Sequence, residues 1–490
     1  MAKIYYGCLM DTYFIEKIDE TYIKVTADPA LLMELSDYFT FDVPGAKFTP
    51  AYRNKVWDGK IRLLNIITGL LYSGLIHYIE DFCKQRKYNV KYLSDFSSTE
   101  FSVKEANDFI RSLNLTIQPR DYQISAFVKA IRDNRKLLLS PTASGKSLII
   151  YLLTRYYNTK TLIIVPTTSL VSQMSSDFLS YGYDDTDNIH KIYSGQEKSG
   201  PQQIYISTWQ SIYKLPKEWF NQFNLIIGDE AHLFKAKSLT TILSKLNKCK
   251  YRFGFTGTLD GSQTHQLVLE GLFGPVHRVT TTSELIDQKH LSDFRIKNIV
   301  LTYPDDIRKL VSKMDYQQEI DYIVRLTKRN SFISNLALSL QGNTLLLFQY
   351  VDKHGKVLYD NIKLLAPDRN IFFISGEIDG EERERIRKAV EEEKNAIIVA
   401  STGTFSTGVN IKNLHNIIFA SPSKSQIKVL QSIGRGLRKA DDGRDTTLYD
   451  ISDDLHWKTK KNFTLVHAGI RIQIYSKEQF NYKIHEVKLT

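Results

Sequence analysis

Ser140-Pro141-Thr142-Ala143-Ser144-Gly145-Lys146-Ser147 decides the reading of this 490-residue chain. It follows the apolar run Leu137–Leu139 and precedes a helical run from Leu148 to Tyr156. A triphosphate needs backbone N–H groups converging at a helix N-terminus. It also needs a lysine for the β and γ oxygens and a hydroxyl for Mg²⁺. Gly145, Lys146 and Ser147 supply these parts, and Thr142, Ala143 and Ser144 complete the loop. Ser140 stands where the strict pattern has a first glycine; the strand–loop–helix context offsets that departure.

Asp229-Glu230-Ala231-His232 follows the apolar run Leu225–Gly228. Two adjacent acids at a strand end are costly unless a cation or a reaction uses them. Asp229 is expected to hold Mg²⁺ with Ser147, and Glu230 to orient or deprotonate an attacking water. His232 is a candidate for coupling this site to a neighbouring domain. Far downstream, Gln431, Arg435 and Arg438 are spaced to share one helical stripe. Arginines there can neutralise charge that grows on a γ-phosphate. A nucleotide site divided in this way closes two domains when loaded and opens them when the nucleotide is spent.

Short apolar runs alternate with helical stretches on both sides of these motifs. Lys136–Ser140, Thr161–Val165, Gln203–Ser207, Leu225–Gly228 and Arg252–Thr256 form a first set. Thr344–Phe348, Asn370–Ile374, Ala396–Ala400, Asn416–Ala420 and Thr446–Tyr449 form a second. Such alternation implies parallel sheets covered on both faces, with ligands at the carboxyl ends of the strands. The expected division is an N-terminal α+β domain over residues 1–100 and two α/β domains over 101–285 and 286–490. One long helix from about Tyr316 to Leu340 and another from Asn462 to Phe480 are expected in the last domain.

Hydrophobic residues make up 42% of the chain, enough for sizeable cores. Lys and Arg number 65 against 54 Asp and Glu, a net charge of +11. That excess suits a polyanionic partner without proving one. Cys8, Cys83 and Cys249 are isolated, which argues against a disulfide framework or a zinc ribbon. No apolar run is long enough to span a bilayer, and the start of the chain lacks a signal-peptide pattern. A cytoplasmic location is the expectation, with no membrane partner.

In the first hundred residues, Asp58-Gly59 sits between Arg53-Asn54-Lys55-Val56-Trp57 and Lys60-Ile61-Arg62-Leu63-Leu64. Asp-Gly between alternating runs predicts a hairpin. Its register would place Arg53, Lys55, Trp57, Lys60 and Arg62 on one face, with Val56, Ile61 and Leu63 packed inward. Such a face suits phosphates and a stacked base. Leu75, Ile76, Ile79, Phe82 and Cys83 recur at helical spacing and are expected to cover the hairpin.

Together these residues resemble a superfamily-2 helicase of the DEAH-signature type, from about Arg120 to Arg438. The resemblance implies two tandem RecA-like motor domains using ATP. Within it, Gln123 looks like the adenine-reading glutamine. Pro166 and Thr167, with Thr208 and Gln210, lie in segments that look like the strand-gripping motifs. Thr256 and Thr258 look like the motif linking hydrolysis to movement. Phe348-Gln349-Tyr350 and Ser406-Thr407-Gly408-Val409-Asn410 look like the second-domain counterparts, with Thr407 on nucleic acid and Gly408 and Asn410 at the nucleotide.

Phe48-Thr49-Pro50, Trp57–Leu64, Leu162–Thr168, Pro216–Phe220 and Val429-Leu430-Gln431 resemble the UvsW-type helicases of phage. That resemblance implies recombination, replication and repair on branched DNA: branch migration, fork regression, R-loop dissociation and strand annealing. Single-stranded DNA, RNA–DNA hybrids and recombination or single-strand-binding proteins are the partners such a role implies. UvsW-type proteins carry Asp-Glu-Cys-His where this chain has Asp-Glu-Ala-His; both acids and His232 remain. Three alternatives stay open on residues alone. They are an RNA helicase, the translocating subunit of a restriction complex, and an annealing module with a vestigial ATP site.

Overall fold

A computed structural model describes residues 11–489 apart from 44, 142–143, 194, 234–235, 258, 260–262, 289–293, 379, 407–412, 422–442 and 478–479. Its residues fall into two compact units that divide at Val279 and Thr280, with the short stretch Pro141–Ser144 grouped with the second.

The first unit begins with strands β1 (Thr12–Lys17), β2 (Tyr22–Thr26), β3 (Thr40–Asp42), β4 (Lys60–Arg62), β5 (Leu70–Tyr72) and β6 (Asn89–Tyr92). Four of them form one mixed sheet in the order β5-β2-β1-β6, and β3 pairs only with β4. The helix Ile76–Arg86 buries Ile79, Phe82 and Cys83 against the core of Tyr13, Ile15, Ile23 and Val25. Its apolar spacing was legible, but it covers the four-stranded sheet and not a 53–64 hairpin.

That hairpin does not form. Pro50, whose ring presets a helical φ, opens a short helix Pro50–Arg53 instead. Thr49 caps it by accepting the Tyr52 N–H at 3.4 Å. Lys55 then takes a left-handed φ of 55°, so residues 53–57 never extend. The Asp58-Gly59 turn is real: Asp58 Oδ1 accepts the Lys60 N–H at 3.1 Å. It feeds β4 into an antiparallel pair with β3, Thr40 opposite Arg62 and Asp42 opposite Lys60. Consequently Val56 and Ile61 are exposed, not packed inward, and Leu63 is half-buried.

Next come β7 (Arg135–Leu139), β8 (Thr161–Val165), β9 (Ile189–Ile192), β10 (Ile204–Thr208), β11 (Leu225–Gly228), β12 (Tyr251–Thr256) and β13 (Val276–Arg278). They build a seven-stranded parallel sheet in the order β13-β7-β12-β11-β8-β10-β9. Strands buried on both faces carry the uninterrupted apolar runs that such a sheet requires. One hydrophobic core lies on each face.

The second unit repeats the architecture with β14 (Phe294–Thr302), β15 (Thr344–Phe348), β16 (Ile371–Ile374), β17 (Ile397–Ser401), β18 (Asn416–Phe419), β19 (Thr446–Asp454) and β20 (Asn481–Lys488). All pairings are parallel, in the order β16-β17-β15-β18-β19-β14-β20. The long helix expected over Tyr316–Leu340 is two helices, Tyr316–Arg325 and Thr327–Ser339. Leu326 is extended at the break. There Asn330 Nδ2 donates to the Val324 carbonyl at 2.9 Å, so the interruption leaves that acceptor satisfied. The final helix runs Phe463–Lys477.

Two buried ion networks hold this second unit. Arg329 forks onto Asp453 at 2.7 and 2.9 Å, with Tyr303 Oη donating to the same carboxylate at 2.6 Å. Arg471 pairs with Asp450 at 2.8 Å, joined by Tyr475 and Asn298. Each ion is fully buried, which is tolerable only because its partner and further hydrogen bonds are in place.

Candidate active site

The site in the first unit forms along the carboxyl edge of its sheet. After β7, Ser140 N–H donates to the Thr256 carbonyl at 2.8 Å, tying the loop to the end of β12. Ser144 turns back on Pro141 through its N–H and its hydroxyl, at 3.3 and 2.7 Å from the Pro141 carbonyl. Gly145 takes a left-handed φ of 78° and opens the helix Lys146–Tyr157. Its backbone conformation favours glycine, and a Cβ there would lie 2.3 Å from Gln123 Nε2 and displace the end of that side chain. Thr142 and Ala143 lie outside the described residues.

Gln123 belongs to the helix Asp121–Asp133 and is buried against this loop. Its Oε1 accepts the Arg120 N–H at 2.8 Å, and its Nε2 donates to the Gly145 carbonyl at 3.4 Å.

Lys146 Nζ meets Glu230 Oε1 at 2.5 Å across 84 positions of sequence. Glu230 reaches it from a tight turn after β11, with a φ of 49°. Left-handed backbone in a non-glycine residue costs roughly 1–3 kcal/mol and clusters at functional sites. Asp229 is held by its neighbours: its N–H donates to the Ile164 carbonyl at 2.9 Å, and its Oδ1 accepts the Glu230 N–H at 3.0 Å. Burial pushes the Asp229 carboxyl up to about 6; Lys146 pulls the other way and Glu230 adds to the rise. A buried acid held short of easy ionisation is a donor that a divalent cation stabilises. Ser147 Oγ lies 2.7 Å from Tyr181 Oη, at the end of the helix Thr168–Ser180. The donor set therefore fits a magnesium–triphosphate: a glycine-opened helix N-terminus, one lysine, one hydroxyl and two acids.

His232 Nδ1 is 2.6 Å from Thr256 Oγ1 and 3.5 Å from Glu230 Oε2. Since Thr256 also holds Ser140, one continuous path joins Lys146, Glu230, His232, Thr256 and the loop. Thr258 lies outside the described residues. At its amino end β12 carries Arg252, fully buried, whose guanidinium donates to Thr21 Oγ1 at 2.9 Å and to the Cys249 carbonyl at 3.1 Å. Thr21 in turn donates to the Leu243 carbonyl at 3.2 Å. Glu20 N–H donates to Asn247, and Tyr78 Oη to Glu270, at 2.9 and 3.1 Å. A Cβ at Gly74 would lie 2.0 Å from the Glu270 carbonyl, so the N-terminal layer sits directly on the helix Gln263–Phe273. The same strand thus touches the N-terminal domain at one end and the nucleotide loop at the other.

Pro166 and Thr167 leave β8 beside Thr208 at the end of β10, because Val165 and Thr208 are paired in register. Thr167 caps the helix Thr168–Ser180, accepting the Leu170 N–H at 3.4 Å. Thr208 Oγ1 is 2.9 Å from Ser211 Oγ, and Gln210 is exposed. In the second unit Phe348 and Ser401 end neighbouring strands, and Thr402 Oγ1 donates to the Phe348 carbonyl at 2.9 Å. Thr407, Gly408, Asn410, Gln431, Arg435 and Arg438 lie outside the described residues.

The five N-terminal candidates do not share a strand face. Arg53 ends a helix and Lys55 sits in a turn, whereas Lys60 and Arg62 are on β4. Arg62 is paired with Asp58 at 2.5 Å. Trp57 is half-buried, its Nε1 donating to the Lys60 carbonyl at 2.8 Å. Two contacts went unforeseen. Tyr181 meets Ser147 across 34 positions and had no local signal. Arg252 did have one, as a guanidinium inside the otherwise apolar run Tyr251–Thr256.

Known families align with this layout. The family described as DNA helicase UvsW, N-terminal, matches residues 15–93. Type III restriction enzyme, res subunit, matches 116–261, and Helicase conserved C-terminal domain matches 327–440. The chain is 37% identical to the ATP-dependent DNA helicase uvsW of Enterobacteria phage T4, over 96% of this chain and 98% of that protein. The chain belongs to the UvsW helicase family.

The crystal structure of T4 UvsW agrees, with a TM-score of 0.52 at 35% identity over 98% of this chain and all of that one. A more distant likeness is to the DNA 3'-5' translocase XPB2 of Sulfurisphaera tokodaii, 26% identical over 66% of this chain and 80% of that protein. The DNA-bound Type ISP restriction-modification enzyme LlaBIII shares the fold. Its TM-score is 0.56 at 16% identity, over 83% of this chain and 34% of that one. Among the described residues no helix is long and apolar enough to cross a membrane.

Proposed function

We propose that this protein moves junctions in branched DNA, by branch migration, fork regression, R-loop dissociation and strand annealing, in phage recombination, replication and repair. The chain is an ATP-dependent DNA helicase of the UvsW family. The single observation that carries the finer reading is the N-terminal domain, matched by the UvsW N-terminal family over 15–93 and seated on the first motor sheet through Arg252 and Thr21. The division into 1–100, 101–285 and 286–490 belongs to this proposal.

Energetics favour the same substrate. Opening duplex costs about 1.4 kcal/mol per base-pair step. Branch migration re-forms each pair it breaks, so its net cost is near zero. A two-domain motor with one small accessory domain therefore suffices without a large processivity apparatus.

In the proposed mechanism Lys146 releases Glu230 to take the β and γ phosphates, and Ser147 and Asp229 would hold Mg²⁺, which would supply positive charge against the phosphates. Glu230, freed from the lysine, accepts the proton of the attacking water. Arg435 and Arg438 approach from the second motor domain and stabilise the leaving charge, with Gln431, Gly408 and Asn410 lining the nucleotide. Gln123 reads adenine. His232 and Thr256, with Thr258, pass the change at Glu230 to the loop and to β12. Pro166, Thr167, Thr208, Gln210 and Thr407 grip one strand in turn as the cleft closes and opens.

The test is ATP turnover and strand exchange on single-stranded, duplex, forked, four-way and R-loop substrates. Faster processing of the four-way junction and R-loop than of a plain fork supports the reading. Equal rates on a fork and a four-way junction contradict it. Stimulation by ribo-oligonucleotides alone would favour an RNA helicase.

A further inference from the structure

We propose that Phe48 is the ring the N-terminal domain offers to DNA, stacking on a base pair exposed at the branch. This rests on the branched-DNA reading above and specifies the surface that meets the branch.

Residues 42–62 close into a small loop on the β3–β4 stem. Val43 N–H donates to the Gly59 carbonyl at 2.8 Å, and the N–H groups of Val56 and Trp57 donate to the Ala51 carbonyl at 3.0 and 3.2 Å. Ala46 is buried inside the loop, and Gly59 packs against it and the Tyr52 ring. The loop is thus internally hydrogen-bonded, and its exposed groups are presented from a formed surface.

Its most exposed large apolar side chains are Phe48 and Val56, ahead of Tyr52 and Ile61. Phe48 is 72% exposed and Val56 81%. Lys47, Arg53, Lys55, Lys60 and Arg62 surround them in sequence, against only Asp42 and Asp58, and all are exposed. Asp58 is already paired with Arg62. An exposed aromatic ring on a loop whose exposed charges are mostly cationic is the composition that binds bases and phosphates together, because a base presents a π-face beside its own phosphate. A protein partner that matched the ring would have to be acidic as well; DNA meets both demands with one repeating unit. Trp57 does not compete for this role, since its indole N–H is committed to Lys60 and its ring is half-buried.

The domain is braced for such a contact. Arg252, Glu20 and Tyr78 fasten it to the first motor domain, and Leu267 of that domain enters its core. Displacement of the motor therefore carries the ring with it.

The experiment places 2-aminopurine at the centre of an otherwise base-paired four-way junction and measures fluorescence and affinity with the full chain. Phe48→Ala should abolish the protein-dependent fluorescence change and weaken junction binding about tenfold, the equivalent of about 1.4 kcal/mol. Phe48→Trp should restore both, and Trp57→Phe should retain the signal. Loss of the signal in Trp57→Phe with retention in Phe48→Ala overturns the assignment. Weakened binding in the combined Arg53→Ala, Lys55→Ala, Lys60→Ala variant beside an unchanged Phe48→Ala overturns the ring alone. Unchanged affinity in both overturns the domain's DNA role with it.

Discussion

Asp229→Asn should make the nucleotide-free protein more stable while removing its activity. The Asp229 carboxyl is pushed from 3.8 to about 6, chiefly by burial. An acid whose value rises on folding binds its proton more tightly in the folded state. Its favourable contribution is complete below about 4 and is lost as pH rises through about 6. At pH 8 the folded chain therefore holds a charged buried carboxylate at a cost of about 3 kcal/mol, taking about 1.4 kcal/mol per pH unit. Asparagine keeps the Oδ1 that accepts the Glu230 N–H and carries no charge. For a unit of this size about 2 °C accompanies each kcal/mol, so the variant should melt about 6 °C higher at pH 8. The gap should narrow steadily as pH falls through about 6, and Mg²⁺-dependent turnover should be lost throughout. Thermal melts of both proteins from pH 8 to 5, without nucleotide, measure it. A variant that melts at or below the parent at pH 8, or a gap that ignores pH, refutes the buried-carboxylate argument.

Lys146→Ala should abolish ATP hydrolysis and leave DNA binding within about twofold, because the lysine pairs with Glu230 at the nucleotide loop. Combined loss of hydrolysis and DNA binding in a filter-binding assay would make the lysine structural as well. His232→Ala should lower unwinding per ATP about tenfold by breaking the link to Thr256, and an unchanged ratio would remove the coupling role. Thr21→Val deletes the acceptor of Arg252 and the donor to Leu243 at nearly constant volume. It should cost about 2 kcal/mol and expose the 1–100 region to protease, and full protection would contradict the docking.

That Lys146, Asp229, Glu230 and His232 come together was legible because each follows the end of an apolar run that forms a strand of one sheet. Thr161–Val165, Leu225–Gly228 and Thr344–Phe348 appear with the bounds their apolar runs set, since a strand buried on both faces has no polar alternation to blur them. The N-terminal hairpin misled for an identifiable reason. Asp58-Gly59 marked a turn, but Thr49-Pro50 carried a helix-start signal that outweighed extension of residues 53–57. The true partner of β4 lies about twenty residues upstream, where no local rule points. β14 and β20 escaped notice too: β20 is a polar edge strand without the apolar run that marks its neighbours. The break at Leu326 depends on Asn330 reaching the Val324 carbonyl, a contact that helical periodicity cannot encode.

The proposed mechanism gives Arg438 a role in the transition state of ATP hydrolysis. It is tested most directly by steady-state ATP turnover and nucleotide affinity of Arg438→Ala on saturating four-way junction. The account predicts turnover lowered about a thousandfold with affinity changed only a few-fold, the signature of a group that acts on the transition state. Turnover equal to that of the parent would contradict it.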